Sequence, residues 1–170
     1  MPKGLKQTSS TIVIGASVIE SAANTFTEQR IDLQLNPLDN EVFVVTAINL
    51  DVTAPDAIAG VNTQTSGSLS TTSLTSVGNL SQSQVIAVSQ DSIRAAGFVD
   101  GGVGFQRTSL ETPPAALDYV GIIATNDFFL QVGGLGNAAA KAMTAKVYGY
   151  RAKAEASTYA ALVQSEVLSS

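Results

Sequence analysis

The sequence predicts an all-β domain, a sandwich or barrel of eight or nine antiparallel strands followed by one short C-terminal helix. Three observations predict it. Segments of strand length rich in β-branched residues recur along the chain, clusters of Gly, Pro, Asn and Asp separate them, and helical periodicity is confined to the last residues. At 170 residues the chain suits one domain, large enough to bury a core without a metal or a disulfide. Residues 1–153 are read as the β domain, with 1–10 as an N-terminal arm, and residues 154–170 as a helical tail.

Residues 11–21 (TIVIGASVIES) open the strand series with a β-branched run. Residues 25–35 end in alternation, Ile31, Leu33 and Leu35 on one face and Asp32 and Gln34 on the other. Asn36, Pro37, Asp39 and Asn40 then supply a turn. Residues 41–53 form the clearest strand, with Val42, Val44, Ile48, Leu50 and Val52 on one face and Phe43, Val45, Ala47, Asn49, Asp51 and Thr53 on the other. Its first half is apolar on both sides and its second half on one, so one end is expected to be buried more deeply. Residues 62–84 (NTQTSGSLSTTSLTSVGNLSQSQ) carry no charge and few apolar side chains. Composition alone assigns them to a low-complexity linker, with a weak strand near 69–75.

Further strands are expected at 84–90, 103–109, 119–125, 128–132 and 142–153. Asp100-Gly101-Gly102, Pro113-Pro114, Asn126-Asp127, and Gly133-Gly134 with Gly136-Asn137 separate them as turns. From residue 154 to 168 (AEASTYAALVQSEVL) the period changes: Tyr159, Leu162, Val163 and Val167 form one apolar helical stripe, with Ser157 as the N-cap. That stripe either covers one end of its own sandwich or docks on a neighbouring copy.

The chain contains no histidine and no cysteine. This removes Ser/His/Asp and Cys/His nucleophile systems, ordinary zinc and copper sites, and a near-neutral histidine switch. The glycine clusters GFVDGGVG and GGLG lack the spacing of phosphate-binding loops and read as hairpin or bulge glycines. Most acids lie near turns or strand ends; Glu20, Glu28, Asp32 and Asp51 fall in strands, and no spacing singles out an acid–base pair. Asp39-Asn40-Glu41 and Asn126-Asp127 offer oxygen donors but read as turns. No enzymatic activity, cofactor or metal is expected.

Charged residues make up 14% of the chain, against about 25% in an average soluble domain, while 45% is hydrophobic. Surface built from Ser, Thr, Asn, Gln, Gly and Ala costs less to desolvate at a protein contact, which points to permanent assembly. A net charge of −5 disfavours binding to phosphate. Lys3 and Lys6 are too few for a polybasic arm, and Lys141, Lys146, Arg151 and Lys153 read as basic residues guarding the last strand against wrong pairing. No apolar run reaches the length of a membrane span, and the N-terminus shows no signal-peptide pattern, so synthesis in a cytoplasm is expected.

The strand count, the long connections between Val52 and Val85, and a closing pair of strands around a Gly-Asn turn (DFFLQVGGLGNAAAKAMTAKVYGY) together resemble the single jelly-roll capsid proteins of icosahedral viruses. The resemblance covers nearly the whole chain and is one of pattern, since the family has no diagnostic motif. It implies two four-stranded sheets packed face to face in a jelly roll, with loops and edges making contacts within a shell. The function it implies is that of a virion coat subunit that self-associates into an icosahedral capsid. The missing basic arm departs from coats that package single-stranded genomes. It fits coats of tailless, membrane-containing double-stranded DNA viruses, in which a membrane or another protein lies between shell and genome.

The expected partners are copies of the chain itself, a second capsid protein and an internal membrane; direct nucleic-acid binding is not expected. Candidate subunit-interface residues are Leu5 and Ile12 near the N-terminus and Tyr159, Leu162, Val163 and Val167 in the tail. Two other readings compete. A β-sandwich binding module, such as an adhesin, a fibre or pilus subunit or a carbohydrate-binding domain, is disfavoured by an aromatic content of 6% with no Trp. A minor virion protein that cements or decorates a shell differs from a coat subunit only in its partner.

Overall fold

The computed structural model describes residues 2–97, 105–109 and 117–168. Ten strands lie among them: β1 (Leu5–Gln7), β2 (Ile12–Ile19), β3 (Thr27–Asp32), β4 (Glu41–Val52), β5 (Thr63–Ser70), β6 (Val85–Arg94), β7 (Phe105–Ser109), β8 (Gly121–Ile123), β9 (Asp127–Leu135) and β10 (Ala142–Ala154). A 3-10 turn, η1 (Pro37–Asp39), precedes β4, and one helix, α1 (Ala156–Leu168), closes the described chain. The expected turns at Asp100-Gly101-Gly102 and Pro113-Pro114, and the start of the strand expected at 103–109, fall outside the described residues.

Every strand pairing is antiparallel, and the pairs nest: β2 with β10, β3 with β9, β4 with β8, and β5 with β6. An eight-stranded hairpin folded over itself in this way is a jelly roll. Its two sheets run β2-β10-β4-β8 and β3-β9-β5-β6, the latter extended by β7, and β1 lies beside the far end of β10. The closing strands β9 and β10 therefore lie in opposite sheets. The main core fills the space between the sheets, with Phe43, Leu69, Ile123, Phe128, Leu130, Val132 and Met143 fully buried.

The residues of β4 divide between faces differently from simple alternation. Val45 pairs with Gly149 while Ala47 pairs with Tyr148, so Thr46 is an extra residue, a β-bulge, and its hydroxyl donates to the Tyr148 carbonyl at 3.1 Å. The bulge reverses the side-chain phase. Phe43 and Val45 join Ile48, Leu50 and Val52 in the main core, whereas Val42 and Val44 point to the outside of the sheet. There they are covered by α1, and Val42–Val45 are buried on both faces as the composition of that half requires.

The uncharged segment expected to be a linker instead holds β5, hydrogen-bonded between β6 and β9 in the middle of its sheet. Its backbone is paired on both sides, and several of its hydroxyls find partners. Ser68 donates to the Gln131 Oε1 at 2.7 Å, and the Gln131 Nε2 donates to Ser70 at 2.6 Å. The weak strand expected near 69–75 is thus displaced toward the N-terminus.

Gly133 and Gly134, expected as turn residues, are inside β9; the turn is made by Gly136, at φ +69°, and Asn137. The missing β-carbons leave room for other chain. A β-carbon on Gly133 would lie 3.1 Å from Val77, and one on Gly134 would lie 2.7 Å from the Asn137 side chain.

Candidate assembly surfaces

Five of the six residues expected to mediate subunit contacts also pack within the chain. Leu5, Tyr159, Leu162 and Val163 pack with Val42, Val44, Ala124, Tyr150, Ala152 and Ala154 in a second core between α1 and the outer side of the first sheet. Ile12 faces the main core from β2. Val167 alone of the six is largely exposed, at 60%. The helix therefore packs on its own sandwich: Leu5 is buried there, and Ile12, Tyr159, Leu162 and Val163 are half-buried by contacts within the chain.

Local bonds explain why the helix docks there. Residues 5–7 are not a free arm but pair as β1 with Ala152–Ala154, and the Glu155 N–H donates to the Gly4 carbonyl at 3.0 Å. The helix begins at Ala156, and its first bond runs from the Tyr159 N–H to the Glu155 carbonyl at 2.8 Å, so Ser157 lies within the first turn rather than at the cap. Near the other end, the carboxylate of the buried Glu166 accepts the N–H groups of Ala124 and Thr125, both at 2.9 Å. Burial pushes the Glu166 carboxyl above its ordinary range despite these bonds. Glu166 also lines a cleft of about 240 Å³ with Ile86, Val120, Ile122 and Leu162, but its two oxygens are already committed to the backbone.

Among the described residues, no element covers the half of the first sheet that α1 does not reach. Val13, Gly15, Ser17 and Ile19 on β2, Thr144, Lys146 and Tyr148 on β10, and Ala47, Asn49 and Asp51 on β4 form its outer face. Two opposite charges, Lys146 and Asp51, are the only ones among these residues, and Val13 and Ile19 are 51% and 64% exposed. Such a surface loses little hydration on contact with a protein.

The rest of the basic strand is neutralised within the chain. Lys141 meets Asp56 at 2.5 Å, Arg151 meets Glu41 at 3.1 Å, and Lys153 meets Asp39 at 3.3 Å. Arg151 also donates to the Leu33 and Gln34 carbonyls. No family model matches this chain, and no curated protein matches it. Among the described residues, no three acids converge in a way that could hold a metal ion.

Two carboxylates that the sequence left without a role act as structural clamps. Glu20 accepts the Gly134 and Lys141 N–H groups at 2.6 and 2.7 Å, tying β2 to both ends of the loop between β9 and β10. Glu28 accepts from Ser73, the Leu74 N–H and Gln131, which fastens the 71–84 connection onto the second sheet. Glu20 has a sequence signal, as a lone acid between uncharged stretches, whereas Glu28 sits in the charged run Glu28, Arg30, Asp32 and has none.

Proposed function

We propose that this chain is a structural virion protein, a single jelly-roll coat subunit whose copies associate into a closed icosahedral shell. The observation that carries the reading is the bare outer face of the first sheet, apolar at Val13 and Ile19 and nearly free of charge, on a molecule whose net charge is −5. A soluble surface of ordinary composition would guard that face with charge. Each subunit contact need contribute only a few kcal/mol, because closure of a symmetric shell multiplies the contacts.

The pairing of Lys141, Arg151 and Lys153 with acids of the chain reduces the positive charge that the last strand offers to nucleic acid. This favours a shell separated from its genome by a membrane or a second protein, as in tailless membrane-containing double-stranded DNA viruses. The test is electron microscopy of the heavy fraction from a density gradient of the expressed protein, alone and with lipid vesicles. Closed shells or lattice sheets support the reading. A slowly sedimenting species that forms no lattice and binds a glycan array supports a binding module instead.

A further inference from the structure

We propose that two copies of this chain join through β2, edge to edge and antiparallel, about a two-fold axis at Ala16. The β2-β10-β4-β8 sheet then continues from one copy into the next. The inference rests on the self-association proposed above and names its contact.

The edges of the two sheets are not alike. β3 carries Glu28, Arg30 and Asp32, which oppose strand addition, and Arg30 is paired with Asp32 and Asp127. β8 has only three residues, and β7, with five, borders a segment outside the described residues. β2 is eight residues long, has no proline and no charge, and pairs with β10 from Ile12 to Ile19 without a register shift. The uncharged run extends from Gln7 to Ile19. Among the described residues, no other strand pairs with β2.

The free edge also presents hydrogen-bonding groups. The Glu20 N–H donates to the Lys141 carbonyl at 2.8 Å, so the even-numbered residues of this strand face β10. Antiparallel alternation then turns the N–H and C=O of Val13, Gly15, Ser17 and Ile19 away from β10.

A second copy matches this edge in chemistry as well as in backbone. With the axis at Ala16, Val13 lies opposite Ile19 of the second copy, and Gly15 opposite its Ser17, on the outer face. Ile14 lies opposite Val18 on the inner face, and Ala16 meets Ala16 at the axis. The two exposed apolar side chains of each strand thus cover one another, and the smallest residues are at the centre, where the backbones approach. A two-fold contact of this kind is self-complementary by symmetry. Because the strand is uncharged, the copies meet at a place where their net charges of −5 do not face each other directly.

The chain has no native cysteine, so Ala16→Cys creates a single thiol that reports on the axis. Opposite residues on paired strands lie within reach of a disulfide. Mild oxidation of the full-length variant is expected to give a covalent dimer, whereas Leu38→Cys, at a position 93% exposed on η1, gives no covalent dimer. Ser17→Pro removes an N–H that points away from β10 and leaves the β2–β10 ladder intact. It is expected to keep the far-ultraviolet spectrum of the parent and to lose the association.

Ala16→Cys crosslinking no better than Leu38→Cys would overturn the edge pairing, as would a folded Ser17→Pro variant that associates like the parent. If that variant forms shells, the edge contact fails while the coat reading stands. A parent protein that is monomeric at every concentration removes both.

Discussion

Glu166 shows how one side chain ties an element to the fold. Replacing it with Ala leaves the Ala124 and Thr125 N–H groups without their acceptor and is expected to lower stability by about 1–3 kcal/mol, measured by denaturant unfolding. Its pH dependence has a definite sign. Burial raises the folded-state pKa of Glu166, so its contribution is fully present below the ordinary glutamate value and is lost as pH rises through the raised one. Asp56 behaves oppositely: the hydrogen bond from Lys141, then those from the Ala139 and Ala138 N–H groups, hold its pKa down. That contribution is present above the ordinary aspartate value and is lost as pH falls through the lowered one. Thermal unfolding across the acid range should therefore show a shallower acid limb for Asp56→Asn than for the parent. Two further substitutions probe packing. The Thr65 hydroxyl is buried without a partner in β5, so Thr65→Val is expected to raise stability by about 1 kcal/mol. A β-carbon on Gly149 would come within 2.6 Å of the Phe43 ring and closer still to the Val44 carbonyl, so Gly149→Ala is expected to cost about 1–3 kcal/mol.

At the scale of elements, α1 belongs to the sandwich it covers. Deleting residues 155–170 uncovers Val42, Val44, Tyr150 and Ala152, and is expected to give a β-rich protein that binds a hydrophobic dye and aggregates. Within the helix, Leu162→Ala is expected to destabilise by about 1–2 kcal/mol and Val167→Ala by less than about 0.5, a difference that unfolding midpoints would resolve. Most strands were legible because β-branched runs and turn residues mark them independently of tertiary context, as for β2 and β4. β5 was not, because a central strand is held by its neighbours' backbones and tolerates Ser, Thr and Gln when a network such as Ser68-Gln131-Ser70 satisfies them. The phase of β4 was hidden for a related reason: one inserted residue, Thr46, reverses every later side chain, and alternation alone does not reveal it. The helical stripe at Tyr159, Leu162 and Val163 was legible as apolar, but a stripe records only that a face is covered. The cover proved to be the chain's own second core.

For the whole molecule, the nested pairing of strands places the two candidate contact features side by side: the bare half of the first sheet and its uncharged edge at β2. Of the candidate site, the sequence showed the low surface charge and the strand at residues 11–21, but not which strand would be left at an edge, since that depends on the order of pairing. The measurement that tests the coat-subunit account most directly is the molar mass of the full-length protein by light scattering, followed over concentration and salt. The account predicts a mass that rises above 17.5 kDa with concentration and ends in discrete large particles, with little weakening by salt because the contact is uncharged. A mass fixed at 17.5 kDa under every condition would contradict it.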